Sequence, residues 1–141
     1  MEKDEKLLLI DTTRKELLVA LVDRDTVEKR TNADQRRHSV CLNDVARDFI
    51  PLASAFAVVV GPGSWTGSRV GVVAVKAWSL ALERPVISLI SPDDGENRID
   101  ELIKESWGKF HARDFTDISA LAPLYDSEFK VGKTVPMNNK Q

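Results

Sequence analysis

Two groups of residues in this sequence have types and spacing suited to chemistry. The first is Asp11, which ends an apolar run and is followed by two threonines. The second is residues 57–71, where a valine-rich run leads through a glycine-rich turn into a long apolar stretch. Because the first turn of a helix presents unpaired N–H groups and a partial positive charge, such a turn can bind a phosphate. One hypothesis is therefore a small nucleotide-binding phosphotransferase or hydrolase that uses Asp11 and the turn at Ser64.

The glycine-rich turn departs from the known motifs at the residues that carry their chemistry. A Walker A loop needs a lysine and then a serine or threonine after its last glycine, whereas Ser68 and Arg69 follow Gly67. The dinucleotide fingerprint needs a glycine where Thr66 stands, and a nucleophile elbow needs one where Pro62 stands. Anion binding is thus a secondary hypothesis for this turn. The residues that would bind the anion are Gly63, Ser64 and Thr66.

Asp11 and the histidines give little further support for catalysis. Asp11 has no second carboxylate on a matching strand, so we expect a solvated turn residue. The two histidines, His38 and His111, lie in different elements without the spacing of a zinc site, so no metal site is predicted. His38 precedes a predicted helix and is expected to be a capping or surface residue. The sequence therefore predicts no catalytic residues.

Composition narrows the classes of function. The chain has 141 residues, 43% of them hydrophobic, which predicts one globular domain. A net charge of −2 gives no global electrostatic attraction to nucleic acid. The single cysteine, Cys41, excludes an internal disulfide and is expected to be a small buried hydrophobe. The apolar runs are too short for a signal-peptide core or a membrane span, which predicts a cytoplasmic protein.

Apolar periodicity predicts an α/β domain with the element order β-β-β-α-β-α-β and a C-terminal helix. Short connections between the first three strands indicate an antiparallel meander whose third strand, with charged residues at alternate positions, is an edge. The later strand-helix-strand unit predicts parallel pairing. The predicted strands are 6–12, 16–22, 26–31, 55–60 and 85–91, and the predicted helices are 39–50, with Ser39 as N-cap, 66–83 and about 99–110.

The helix at 66–83 is more apolar than one sheet requires. One narrow stripe of this helix, at 100° per residue, contains Arg69, Val72, Lys76, Ser79 and Glu83. The apolar remainder spans about 220°, whereas an ordinary surface helix needs about 100°. Helix 39–50 or another chain must therefore cover part of it. Glycines at every fourth residue from 63 to 71 let a neighbouring backbone approach closely.

These motifs together resemble the TsaB (YeaZ) family, the bacterial partners of the enzyme that synthesises threonylcarbamoyladenosine in tRNA. The residues that carry the resemblance are 10–13, His38 and Ser39, 61–71 and 76–77. The family signature G-P-G-S-F-T-G-L-R-I-G is matched except at Trp65, Ser68 and Val70.

The similarity runs from residue 7 to about residue 91. It resumes at 121–125, which is similar to the P-x-Y-type ending of the family.

The resemblance implies an actin-like or ribonuclease-H-like half-domain and a non-catalytic relative of the catalytic subunit TsaD. Helices 39–50 and 66–83 would pack with two helices of TsaD, or of a second copy in a homodimer, as a four-helix bundle. ATP or ADP and the ATPase TsaE are associated with that heterodimer, and tRNA is contacted only indirectly. The partner-binding residues predicted on the two helices are Leu42, Val45, Phe49, Trp65, Arg69, Val70, Val73 and Ala77.

The sequence also departs from the family. Members usually carry a second half-domain before the C-terminal ending, whereas residues 92–120 leave room for one helix. We therefore predict a shortened TsaB-like domain at residues 1–129 and a polar, disordered tail at residues 130–141. The predicted function is a scaffold that docks on TsaD and activates it.

Overall fold

A five-stranded mixed sheet is the centre of the fold. The computed structural model describes residues 5–32, 38–63 and 65–125, with only the backbone described at Trp65. Within these residues the strands are β1 (Leu7–Asp11), β2 (Leu17–Val22), β3 (Val27–Asn32), β4 (Ala55–Gly61) and β5 (Val86–Ile90). The helices are α1 (His38–Ala46), α2 (Trp65–Leu82) and α3 (Arg98–His111), and short 3₁₀ segments occur at Ile50–Leu52 and Ile118–Ala120.

The strand order is β3-β2-β1-β4-β5. β1 pairs antiparallel with β2, and β2 pairs antiparallel with β3, which confirms the predicted meander. β4 is parallel to both β1 and β5, which confirms the predicted parallel unit. β1, β2 and β4 are buried along their whole length, as their continuous apolar sequences predict, and β3 is largely exposed at the edge. The predicted mixed α/β domain is therefore confirmed, and the predicted tail lies outside the described residues.

Helix α1 differs most from its predicted bounds. It begins at His38, so Ser39 lies in the first turn and the prediction that it is the N-cap is wrong. It ends at Ala46, and next to this end Arg30 of β3 donates to the Val45 carbonyl at 2.8 Å. The Phe49 N–H, which a continued helix would give to that carbonyl, instead donates to Ala46 at 2.8 Å.

Side chains of the sheet form a core on each face. On one face, residues such as Leu8 and Ile10 of β1 pack in a cluster that includes buried residues of α1 and α2. On the other face, Leu7 and Leu9 pack in a cluster that includes Leu102 and Phe110 of α3. The alternation along β1 therefore places α1 and α2 together on one side of the sheet, with α3 on the opposite side. Cys41 is half-buried against the first core rather than fully buried.

Helix α2 buries part of the stripe that contains its polar residues. Two members of the stripe from Arg69 to Glu83, Val72 and Ser79, are buried. Ser79 can be buried because its hydroxyl donates to the Arg84 carbonyl, which satisfies it. Val73 is 61% exposed, so the predicted excess of apolar surface is present. None of the helices in the described residues has the length and hydropathy needed to cross a membrane.

Candidate functional site

A groove of about 460 Å³ lies between α1 and α2 on the outer side of the molecule. Apolar side chains make up most of its wall, and polar residues lie at positions 39, 43, 66 and 69. Its lining residues are Ser39, Leu42, Asn43, Thr66, Arg69, Val70, Val73, Ala74, Ala77 and Trp78. Helix α2 has apolar residues on two faces. One face packs on the sheet, and the other, where valine and alanine recur at helical spacing, lines the groove.

The structure brings most of the predicted partner-binding residues into this groove. Leu42, Arg69, Val70, Val73 and Ala77 all line it, with Leu42 buried and Val73 largely exposed.

The other predicted residues lie elsewhere. Phe49 is 3% exposed, and the Arg30 guanidinium stands 3.8 Å from the centre of its ring. Val45 is half-buried against the first core. The side chain of Trp65 lies outside the described residues. Phe49 and Val45 therefore pack towards the core at the C-terminal end of α1 instead of lining the groove.

Trp78 is a lining residue to which the sequence analysis gave no role. Its ring packs on Phe56 of β4 with a centroid separation of 5.7 Å, which holds it against the core while it contributes to the groove. A signal was present in the sequence, because Trp78 follows Val70 and Ala74 at successive four-residue steps along one helix face.

Arg30 anchors the end of α1 next to the groove. Besides the Val45 carbonyl, it donates to both carboxylate oxygens of Asp48 at 2.6 and 2.9 Å. The hydrogen bonds from this guanidinium lower the pKa of Asp48 to about 2. The Arg30 side chain thus links the edge strand β3 to the turn after α1, through its ion pair with Asp48 and its stacking on the Phe49 ring.

Asp11 is buried rather than solvated, so that expectation is wrong. It is 1% exposed, and its Oδ1 accepts from the Thr13 N–H at 2.9 Å and the Thr13 hydroxyl at 2.6 Å. Its Oδ2 lies 2.7 Å from Nη1 of Arg98, a side chain that is 10% exposed at the start of α3. Asp11 is therefore the counter-ion of a buried arginine. A carboxylate held on both oxygens in this way is poorly placed to act on a substrate.

The glycine-rich turn packs against the residues that follow β1. The Gly61–Pro62 peptide is cis. Gly63 is buried, and a Cβ there would lie 2.8 Å from the Thr13 Cβ. Thr66 is exposed at the groove, and Ser64 lies outside the described residues. Anion binding by these three residues stays a prediction; of the two that the structure describes, Gly63 is buried and Thr66 is exposed.

Residues 121–125 lie against the same turn. The Leu124 N–H donates to the Val60 carbonyl at 2.7 Å, and Tyr125 bridges to Gly63. Gly61 has φ of +136°, and a Cβ there would lie 1.9 Å from the Leu124 carbonyl oxygen. The end of the described chain thus approaches the turn so closely that only glycine fits at position 61.

The two histidines lie far from any shared site. His38 is buried, with Nε2 2.9 Å from the Arg14 carbonyl, so the expectation of a capping or surface role is wrong. The ring of His111 lies edge-on to Trp107 with a centroid separation of 4.6 Å. Across the residues that the structure describes, no three His, Cys, Asp or Glu side chains are grouped so that they could hold a metal ion.

Comparison with known proteins finds similarity among solved structures. No protein-family model and no curated protein matches the chain. Among solved structures it is similar to YeaZ from Pseudomonas aeruginosa, with 28% sequence identity and a TM-score of 0.58. It is similar, with the same values, to an uncharacterized protein with similarity to peptidase YEAZ from Pseudomonas aeruginosa. Each comparison covers 62% of this chain and 44% of the other chain.

These similarities confirm the resemblance to the TsaB (YeaZ) family. The described fold is a half-domain of the YeaZ type, a mixed five-stranded sheet with helices on both faces. The chain spans less than half the length of the two structures it matches.

Proposed function

We propose, with the similarity to YeaZ as premise, that this chain is a non-catalytic subunit that docks on TsaD in the cytoplasm. In that role it activates TsaD for threonylcarbamoyl transfer to the tRNA adenosine next to the anticodon. The observation that carries the proposal is the α1–α2 groove, where Val73 is 61% exposed beside a concave apolar wall. Large exposed apolar surfaces on soluble proteins mark sites of association.

The groove has the shape and chemistry of a helix-binding surface. Amphipathic helices bind such grooves through side chains that recur every three or four residues, which is the spacing of Val70, Val73 and Ala77 along α2. Arg69 lines the groove, and in the proposed complex it faces a carboxylate of the partner or a phosphate of ATP or ADP bound between the two proteins. Together with flanking surface, such a bundle would bury about 1,600 Å² in total, the size of an ordinary specific interface.

The hydrogen bonds made by Asp11 and His38 support a non-catalytic role. Asp11 is held by Thr13 and Arg98, which argues against the alternative of a phosphotransferase or hydrolase. One of the similar structures is named for its likeness to a peptidase. A serine or cysteine peptidase needs a base beside its nucleophile, whereas among the described residues Nε2 of His38 contacts the Arg14 carbonyl and its Nδ1 is buried without a hydrogen-bond partner. The proposed interaction with TsaE would take place on the assembled heterodimer.

Sedimentation velocity of the chain with and without TsaD tests the proposal. We expect a one-to-one complex, and no tight binding of ATP and magnesium by the chain alone in a calorimetric titration. A chain that does not associate with TsaD contradicts the proposed function. Tight nucleotide binding by the isolated chain would instead favour the enzyme. A dimer of the chain that disappears when TsaD is added indicates that the same helices serve both associations.

A further inference from the structure

The side chain of Thr12 is inserted into the first turns of α2. Its Oγ1 donates to the Gly67 carbonyl at 2.5 Å and accepts from the Gly71 N–H at 3.0 Å. In a regular helix the N–H of residue 71 donates directly to the carbonyl of residue 67. The threonine hydroxyl therefore hydrogen-bonds both groups of one i, i+4 pair of the helix.

Space for this hydroxyl exists because residue 71 is a glycine. A Cβ at Gly71 would lie 2.8 Å from Thr12 Oγ1, closer than such atoms come in practice. Thr12 itself is 1% exposed and comes directly after β1, at the centre of the sheet. The start of α2 is thus fixed by two hydrogen bonds to the most buried part of the fold, and a group inserted into the helical ladder is a known cause of helix bending.

The anchored turns also carry the groove. Thr66 and Arg69 are exposed on the outer side of α2 within or beside this turn, Val70 is half-buried at the edge of the groove, and Val73 follows one turn after Arg69. A change in how α2 leaves the sheet would move these residues relative to Leu42 of α1. The hydroxyl of Thr12 lies beneath them without being part of the surface.

We infer that Thr12 is a positioning residue for docking, whose inserted hydroxyl sets the direction in which α2 presents the groove to its partner. The inference rests on the proposed function. It assigns a role in partner recognition to a buried residue that no partner could touch. Loss of the hydroxyl removes both hydrogen bonds that hold the start of α2 to the residue after β1, and so lets the outer face of α2 shift.

The test compares Thr12→Val, which keeps the side-chain shape but removes the hydroxyl, with Thr12→Ser, which keeps the hydroxyl. We expect Thr12→Val to raise the Kd for TsaD about tenfold, equivalent to about 1.4 kcal/mol, and Thr12→Ser to bind as the wild type does. The matched control is Ser106→Ala, because Ser106 is buried on the opposite side of the sheet, where its hydroxyl donates to the Ile103 carbonyl at 3.0 Å. This control loses a buried hydroxyl hydrogen bond without altering α2, so its Kd should not change.

A structural readout accompanies the affinity. Hydrogen exchange at the Gly71 amide should differ between wild type and Thr12→Val when both are fully folded by circular dichroism. If Thr12→Val fails to fold, Gly71→Ala displaces the hydroxyl from the helix side and should raise the Kd in the same way. Folded variants that bind TsaD as tightly as the wild type overturn the inference but leave the proposed function intact. A wild-type chain that does not bind TsaD overturns both.

Discussion

Val73→Asp tests the docking surface most directly. In the free chain Val73 is 61% exposed on the outer side of α2, so the substitution removes little packing. The free energy of unfolding should therefore change by less than about 0.5 kcal/mol, as for other surface positions. In the complex the same side chain would lie against apolar groups, where an unpaired charge costs about 3 kcal/mol. We expect the Kd for TsaD to rise roughly 100-fold.

Isothermal titration calorimetry with TsaD measures this change, with urea unfolding of each variant to confirm its stability. The matched control is Val27→Asp, the same substitution at an exposed valine on the edge strand β3, away from α1 and α2. Its Kd should equal that of the wild type. If Val73→Asp and the wild type bind equally well, the groove is not the docking surface. If both aspartates weaken binding, the effect is one of net charge.

Three further predictions concern stability. Asp48→Asn should lower the free energy of unfolding near neutral pH. The difference in stability from the wild type should disappear as the pH falls from 3.8 to about 2, because the wild type then loses its ionised carboxylate. Urea unfolding across that pH range measures the difference. Asp11→Ala should cost about 3 kcal/mol, since it removes the carboxylate that lies 2.7 Å from Arg98 Nη1 and leaves only the exposed Asp94, 3.9 Å from Nε, as a counter-ion; thermal unfolding tests this. Gly61→Ala should cost about 2–4 kcal/mol because of its positive φ and the nearby carbonyl oxygen, whereas Gly95→Ala, with open space around it, should cost less than about 1 kcal/mol.

The strands and most helix bounds could be predicted because their signals are local. β1, β2 and β4 are continuous apolar runs that belong inside a sheet, and the wheel of α2 showed its excess apolar surface. The end of α1 at Ala46 was not predicted, and there Arg30 of β3 reaches a helix carbonyl. A contact of this kind leaves no mark in the periodicity of the helix.

Some features of the candidate site could likewise be predicted from local sequence and others could not. The groove residues on α2 follow from helical spacing. The glycines there were expected to admit a neighbouring backbone, whereas at Gly71 the close neighbour is the side-chain hydroxyl of Thr12, which helical spacing alone does not identify. The burial of Asp11 was missed because Arg98 lies far along the chain, at the start of α3. Isolated charges in a sequence are normally solvated, and only tertiary structure shows which of them are paired.

The order of strands in the sheet has a consequence for synthesis on the ribosome. The meander β1-β2-β3 emerges first and can pair locally, but β1 and β2 are apolar on both faces. β1 gains its second neighbour only when β4 has left the exit tunnel, and α3, which covers the other face, follows later still. Until then the nascent chain exposes an unpaired apolar strand edge, a form prone to aggregation. The interval between translation of β1 and of β4 is therefore the period in which this part of the chain has an unpaired edge on β1.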